Sequence, residues 1–271
     1  GSHRRLAPRP PNPIRTTYLT MKLTSFASLA ILSLAALLTA QPATAAISLD
    51  RTRVVFNGQD KSVTLSISNQ NEQLPYLAQA WIENEREEKI SSPLVVVPPI
   101  QRLEPGGKSQ LKIQGLPALN QLPQDRESLF YFNLREVPPR SDKANTLQIA
   151  LQTRVKLFYR PTAVSKTSGP SSSPWQERLT LTRQGDQYVV NNPTSFYITL
   201  IDASDSVNGK TPDAFEPLML APQSQAALSV GVKVLGATPV LTYVNDYGGR
   251  PQLEFHCVGA ECTAKPVQDR R

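Results

Sequence analysis

From residue 46 onward, short runs alternate apolar and polar residues between proline, glycine and asparagine breaks. Val63-Thr64-Leu65-Ser66-Ile67-Ser68-Asn69 is the clearest of them. A period of two puts every second side chain on one face, as a half-buried strand requires. Tyr76 to Ile82, Leu94 to Val97 before Pro98-Pro99, and Gln110 to Ile113 after Pro105-Gly106-Gly107 are further strand candidates between turn signals, and Ser128 to Leu134 reads as a buried strand. With 24 prolines and only 7% aromatic residues, the composition suits a β-rich fold with many corners better than a helical bundle. Several short strands at fairly regular spacing predict a β-sandwich.

One run breaks the pattern by its length. Leu147 to Tyr159 is about twice the usual strand of 5–6 residues. Leu147, Leu151, Val155 and Tyr159 also fall at i, i+4 spacing, so periodicity alone leaves helix and strand open. The Ile, Val, Thr and aromatic content, the β surroundings and the terminal Arg160-Pro161 favour a strand. A strand this long overhangs its neighbours and leaves backbone groups unpaired. Thr162 to Pro174, rich in Ser, Thr, Gly and Pro, reads as a linker. A second set of strands is predicted at Arg178–Thr182, Gln187–Val190, Phe196–Ile201, Ala226–Val230 and Val240–Val244. Phe255 is placed near the end of the last strand.

The first 45 residues do not share this grammar. Met21 and Lys22 lead into an apolar stretch from Phe26 to Leu38 and then Ala43-Thr44-Ala45. A positive start, a short apolar core and small residues at −3 and −1 predict a secretory signal peptide over 21–45, cleaved before Ala46. The stretch is short for a membrane span of about 20 residues, so no stable membrane insertion is expected after cleavage. Residues 1–20, rich in Arg and Pro, read as a disordered tag or upstream segment. The formal charge of +7 invites a nucleic-acid reading. Five of the 29 basic residues (Arg4, Arg5, Arg9, Arg15 and Lys22), and no acid, lie before Ala46. The remainder carries 24 basic against 22 acidic residues, a net of +2. No helix-turn-helix, RRM or zinc-finger pattern accompanies it, so no nucleic-acid partner is expected. The organisation expected is therefore 1–20 upstream, 21–45 leader, 46–161 and 175–271 two sandwich domains, and 162–174 the linker.

Export changes the meaning of the two cysteines. Cys257 and Cys262 are separated by four residues, which outside the cytosol reads as a local disulfide across a hairpin or its turn. His256 is the only histidine after residue 45, too few for a zinc site or a Ser-His-Asp triad. Tyr247-Gly248-Gly249 matches no phosphate-binding loop, and Glu87-Glu88 sits in a mixed-charge turn. No enzyme, metal or cofactor is expected; the sequence points to a binder.

Six segments in order then carry a resemblance: Ser48–Arg53, Gln73–Trp81, Gln101–Gly106, Arg126–Glu136, Lys156–Pro161 and Asn245–Pro251. Over nearly the whole of 46–271 the chain resembles the periplasmic pilus chaperones. The resemblance implies two immunoglobulin-like β-sandwiches set at an angle with a cleft between them. It implies a protein that binds pilus subunits (pilins, adhesin and adaptors) in the periplasm and passes them to an outer-membrane usher. Arg53 and Lys156 match the cleft cations that hold the subunit's C-terminal carboxylate; cationic donors suit that task. Arg51 lies two residues from Arg53, and the motif match alone selects Arg53.

Leu147, Ile149 and Leu151 match the alternating apolar residues lent to a subunit that lacks its own last strand. Read without the family they are core candidates. The odd separation of Leu151 and Lys156 puts them on opposite faces of a regular strand. A twist, a bulge, or two different surfaces of the ligand would reconcile them. Glu127, Arg160 and Asp246 match an inter-domain charge network that fixes the cleft angle. The short loop Pro138 to Asn145 places the chain with the short-loop group, which generally serves rod-like pili. The exposed apolar edge also raises self-capping by dimerisation in the free protein. The reading from a different class is a secreted Ig-like adhesin or structural pilus component.

Overall fold

The computed structural model describes residues 44–268. The expected upstream segment 1–20, and the expected leader as far as residue 43, lie outside the described residues. From Ala45 onward the chain belongs to one unit, built almost entirely of strands.

The first ten strands are β1 (Ile47–Leu49), β2 (Arg53–Asn57), β3 (Ser62–Asn69), β4 (Tyr76–Asn84), β5 (Lys89–Ile90), β6 (Leu94–Val97), β7 (Ile100–Leu103), β8 (Lys108–Gly115), β9 (Ser128–Val137) and β10 (Gln152–Arg160). One sheet has the order β1-β3-β8-β6; the other runs β2-β10-β9-β4-β5, with β7 also paired to β4. The chain changes sheets between β1 and β2, at Asp50-Arg51-Thr52. Alternation does what period two requires. In β3, Leu65 and Ile67 are buried while Thr64 and Ser66 are exposed. Phe56, Leu65, Ile82, Leu94, Leu111, Ile113, Phe132, Leu134 and Leu157 fill the space between the sheets. Each contributes about 1.5–3 kcal/mol by leaving water.

The second set is β11 (Thr180–Gln184), β12 (Gln187–Asn192), β13 (Ile198–Ser204), β14 (Leu218–Leu220), β15 (Ser224–Ala227), β16 (Val240–Tyr243), β17 (Gln252–Val258) and β18 (Glu261–Pro266). They pair in the single order β14-β13-β16-β17-β18-β11-β12-β15. Residues from both halves of that order, among them Leu181, Tyr188, Leu200, Leu241 and Phe255, share one core. The sheet therefore wraps around it.

Several expectations need correction. Phe255 is not near the end of the last strand: it lies inside β17, and β18 follows. The disulfide falls where expected: Cys257 and Cys262 are direct cross-strand partners of that hairpin, bonded with Cα atoms 3.8 Å apart. The segment after Pro161, read as a linker, opens with a short ordered turn. Thr162–Ser165 forms one helical turn, capped by backbone bonds from Ser165 to Pro161 and Lys166 to Thr162 and anchored by buried Val164. Arg178 ends a 3₁₀ turn, Trp175–Arg178, that precedes β11.

The long strand is also shorter than its sequence pattern. β10 starts at Gln152, not Leu147. Its partner β9 ends at Val137, where Pro138-Pro139 can donate no backbone hydrogen. On the other side β2 starts only at Arg53, opposite Lys156. Leu147 to Leu151 thus lack a β2 neighbour, and the register with β9 carries Leu147 to Ile149 past the end of that strand as well. Leu147 is 84% exposed and Ile149 60%, so these two are not core.

The contrast between the two ends of one pattern is measurable. Leu157→Ala, at a fully buried position, should cost about 2–5 kcal/mol in urea unfolding. Leu147→Ala should change stability by no more than about 0.5 kcal/mol.

Candidate functional site

β10 is held between β2, parallel to it, and β9, antiparallel to it. Pairing with β9 runs from Gln152 to Tyr159 without interruption, so no bulge resets the alternation. Val155, Leu157 and Tyr159 face the first core. Lys156 and Arg160 therefore project from the opposite side. β2 obeys the same rule: Val54 and Phe56 are buried, and Arg53 lies on the other face. Because Lys156 pairs with Arg53 in register, two cations stand side by side.

Both are half-buried, and both reach groups of the second sandwich. Lys156 Nζ donates to Thr199 Oγ1 at 3.2 Å. Arg53 Nη1 makes a long contact of 3.5 Å to the Val244 carbonyl, and its guanidinium lies 5.9 Å from the Phe158 ring centroid. Arg53 Nε is buried with no hydrogen-bond partner. Among the described residues neither cation is in an ion pair. Burial draws the Arg53 guanidinium below its usual range, offset in part by Asp246 and Glu127. Burial, and then the charge of Arg53, draw the Lys156 ammonium down. Two desolvated, like-charged donors with an unused N–H form an acceptor site for an anion, and a carboxylate fits a guanidinium's fork. Arg53 also lines a cavity of about 690 Å³ with Asn57, Arg160, Ser165, Asp246 and Tyr247.

Arg51, the competitor by spacing, is already spent. It holds Asp50 through two bonds of 2.9 and 2.8 Å and donates to the Thr64 carbonyl at 3.0 Å. It sits in the sheet-switching segment, outside any strand, so two-residue parity with Arg53 does not apply.

Glu127, Arg160 and Asp246 do meet. Arg160 Nε donates to Glu127 Oε2 at 2.9 Å, and Nη1 and Nη2 donate to Asp246 at 2.8 and 3.1 Å. Glu127 Oε1 accepts from the Tyr197 backbone N–H at 2.7 Å. One Arg thus bridges an acid of the first sandwich to an acid of the second. Its guanidinium also lies 4.9 Å from Trp175 and 5.1 Å from Phe196, whose rings stack at 4.1 Å. Asp246 is presented by the turn Asn245–Gly249. There Asn245 Oδ1 accepts from the Tyr247 and Gly249 N–H groups, and Gly248 adopts φ +81°. A Cβ on Gly248 would meet Thr52 Oγ1 at 2.9 Å, so both backbone and space demand glycine. Burial pushes the Glu127 carboxyl up to about 7, against the pull of Arg160 and the Tyr197 N–H.

Leu147, Ile149 and Leu151 do not converge on the cations. They precede β10, which begins at Gln152; a regular strand extended back through them would give them the parity of Val155, Leu157 and Tyr159, opposite Lys156. Thr199, Val244, Trp175 and Phe196 escaped sequence reading because each is an ordinary strand or turn residue until the sandwiches come together. Glu136 also escaped, although Leu134-Arg135-Glu136 continues an apolar strand into a charge. Its carboxylate is buried and accepts three backbone N–H groups.

Among the described residues no helix is long and apolar enough to cross a membrane. Residues 46–165 match the family described as pili and flagellar-assembly chaperone, PapD N-terminal domain, and residues 174–255 match pili assembly chaperone PapD, C-terminal domain. The chain is 53% identical over 224 residues to chaperone protein PapD of Escherichia coli, covering 82% of this chain and 91% of that one. Among solved structures it resembles the periplasmic chaperone SfaE, with TM-score 0.61, 30% identity and coverage of 77% and 98%. It also resembles the Salmonella enterica SafB chaperone, solved in complex with the SafA pilin, with TM-score 0.62, 27% identity and coverage of 78% and 95%. Two matched domains and a half-identical relative over most of both lengths settle the family, whose members are chaperones and not enzymes: this chain belongs to the pilus assembly chaperones.

Proposed function

We propose that this chain is exported with a leader removed before Ala46, works in the periplasm, and stabilises incomplete pilus subunits until they reach an outer-membrane usher. The observation that carries the subunit-binding step is the open edge of β10. From Gln152 to Val155 that edge has no neighbour on the β2 side, because β2 begins at Arg53, and Leu147–Leu151 lead into it equally unpaired on that side. A strand added there takes the place β2 leaves empty. Running parallel to β10, it ends at Arg53 and Lys156, and its terminal carboxylate meets two unpaired cations. Backbone bonds along the edge supply affinity. Leu147, Ile149 and Leu151, on the opposite parity from Lys156, fill the groove that the subunit's missing strand leaves. The carboxylate and the groove are thus different surfaces of one ligand, and no bulge is needed. SafB, seen with a pilin, gives the same pairing of partners in a related chaperone.

Glu127, Arg160 and Asp246 hold the second sandwich where Thr199 and Val244 flank the cations. Their role in this reading is orientation of the site.

Arg53→Ala and Lys156→Ala should each abolish co-purification with a co-expressed pilin while the chaperone stays folded. Each charge-assisted contact is worth about 1.5–3 kcal/mol, roughly 10- to 150-fold in affinity. Undiminished pilin capture by both variants would remove the carboxylate anchor. Recovery of the protein in the surface fibre, and not in the periplasmic extract, would favour a structural pilus component.

Glu127 also predicts a pH dependence. Its carboxyl titrates at about 7 when folded against an ordinary 4.5. The folded state then keeps a proton that the unfolded state releases, so this group's contribution is present below 4.5 and lost as pH rises through 7. Urea unfolding across that window should show wild-type stability falling relative to Glu127→Gln as pH increases. Parallel profiles would show that Glu127 does not titrate there.

A further inference from the structure

Glu136 is a buried carboxylate that the subunit-binding reading leaves unused. It lies near the end of β9 with 4% of its surface exposed. Oε2 accepts from the Ala46 nitrogen at 2.6 Å and the Ile47 nitrogen at 3.0 Å, and Oε1 accepts from the Leu151 nitrogen at 3.1 Å. The Glu136 backbone N–H returns to the Leu151 carbonyl at 3.1 Å. Among the described residues no cation pairs with it. A buried carboxylate with only neutral donors lacks the counter-charge that burial demands.

The nearest of those donors is the nitrogen on the far side of the bond that the leader reading assigns for cleavage. Hydrolysis of the Ala45–Ala46 peptide bond by a leader peptidase adds the oxygen of one water to the Ala45 carbonyl carbon. It leaves Ala45 a carboxylate and Ala46 an ammonium. We infer that Glu136 is the receptor for the α-ammonium created at Ala46, and that leader removal thereby closes a buried ion pair at the root of the Leu147–Leu151 segment. This inference rests on the leader reading given above. The Ala46 carbonyl is independently held by the Gln70 N–H at 2.6 Å, so the new terminus stays in place when the bond is cut. The ammonium then has a single rigid acceptor beside it. The same carboxylate grips Leu151, so the charge gained at one oxygen is felt where the apolar segment leaves the sheet. Processing, on this view, completes the molecule as well as trimming it.

The full chain is exported and the protein purified from the periplasmic extract, and intact mass and N-terminal sequencing define its start. Four forms are compared: wild type, Glu136→Gln, a chain with one glycine inserted between Ala45 and Ala46, which moves the ammonium by one residue, and the double variant that carries both changes. NMR titration of the wild-type α-amine should place it above the ordinary range of about 7.7–8.0. The inserted glycine and Glu136→Gln should each reduce the folding equilibrium constant at pH 7 at least tenfold, without adding in the double variant. Both should speed hydrogen exchange at Leu151. If Glu136→Gln fails to fold, the glycine form decides alone. An α-amine titrating in the ordinary range, or a glycine form matching wild type in unfolding and exchange, overturns the inference and leaves the leader reading intact. A mature start other than Ala46 overturns both.

Discussion

The parallel pairing of β2 with β10 is the contact on which the rest of the molecule depends. It fixes Lys156 opposite Arg53, sends Val54, Phe56, Leu157 and Tyr159 inward, and decides where β10 loses its neighbour. A slip of one residue would turn the cations into the core and the core residues outward. The apolar row makes that slip prohibitively unfavourable, so hydrophobic packing on one face specifies the electrostatics of the other. A weakly held surface strand could not present two like charges at a fixed spacing.

The second sandwich contributes in a different currency. Its core is separate, and its link to the first combines a buried Arg between two acids, a stacked aromatic pair beneath the guanidinium, a Phe158–Tyr197 ring contact at 5.5 Å, and a glycine turn fitted against Thr52. Buried ionic networks of this kind add little net stability compared with apolar packing, but they penalise misalignment strongly. Orientation is what an anion site with donors from one sandwich and flanking groups from the other needs.

Much of this was legible in the residues. Alternation located β3, apolar runs between turn residues located β4, β6 and β9, and the unusual length of the run ending at Tyr159 marked the overhang. Parity showed that Leu151 and Lys156 face opposite ways. What alternation cannot show is where a strand stops for want of a partner, because that depends on β2 and β9 and not on the run itself. β18 was missed for a related reason: Glu261 to Pro266 carries little apolar signal, and it is a strand because the β17 hairpin makes it one. Arg51 and Arg53 look equivalent along the sequence. They diverge because Asp50 neutralises the first while no acid reaches the second. Glu136 carries no motif at all; its place is defined by backbone atoms 90 and 15 residues away.

Setting Lys156 directly across from Arg53 has a consequence for turnover. With no anion present, the two charges repel each other in a setting that water screens poorly. On the proposed function, an arriving carboxylate would relieve that repulsion and its departure would restore it. The empty site would then be the high-energy member of the proposed cycle: simple dissociation would have to climb back to it, whereas a stepwise exchange, in which a new anion enters as the old one leaves, would never visit that state.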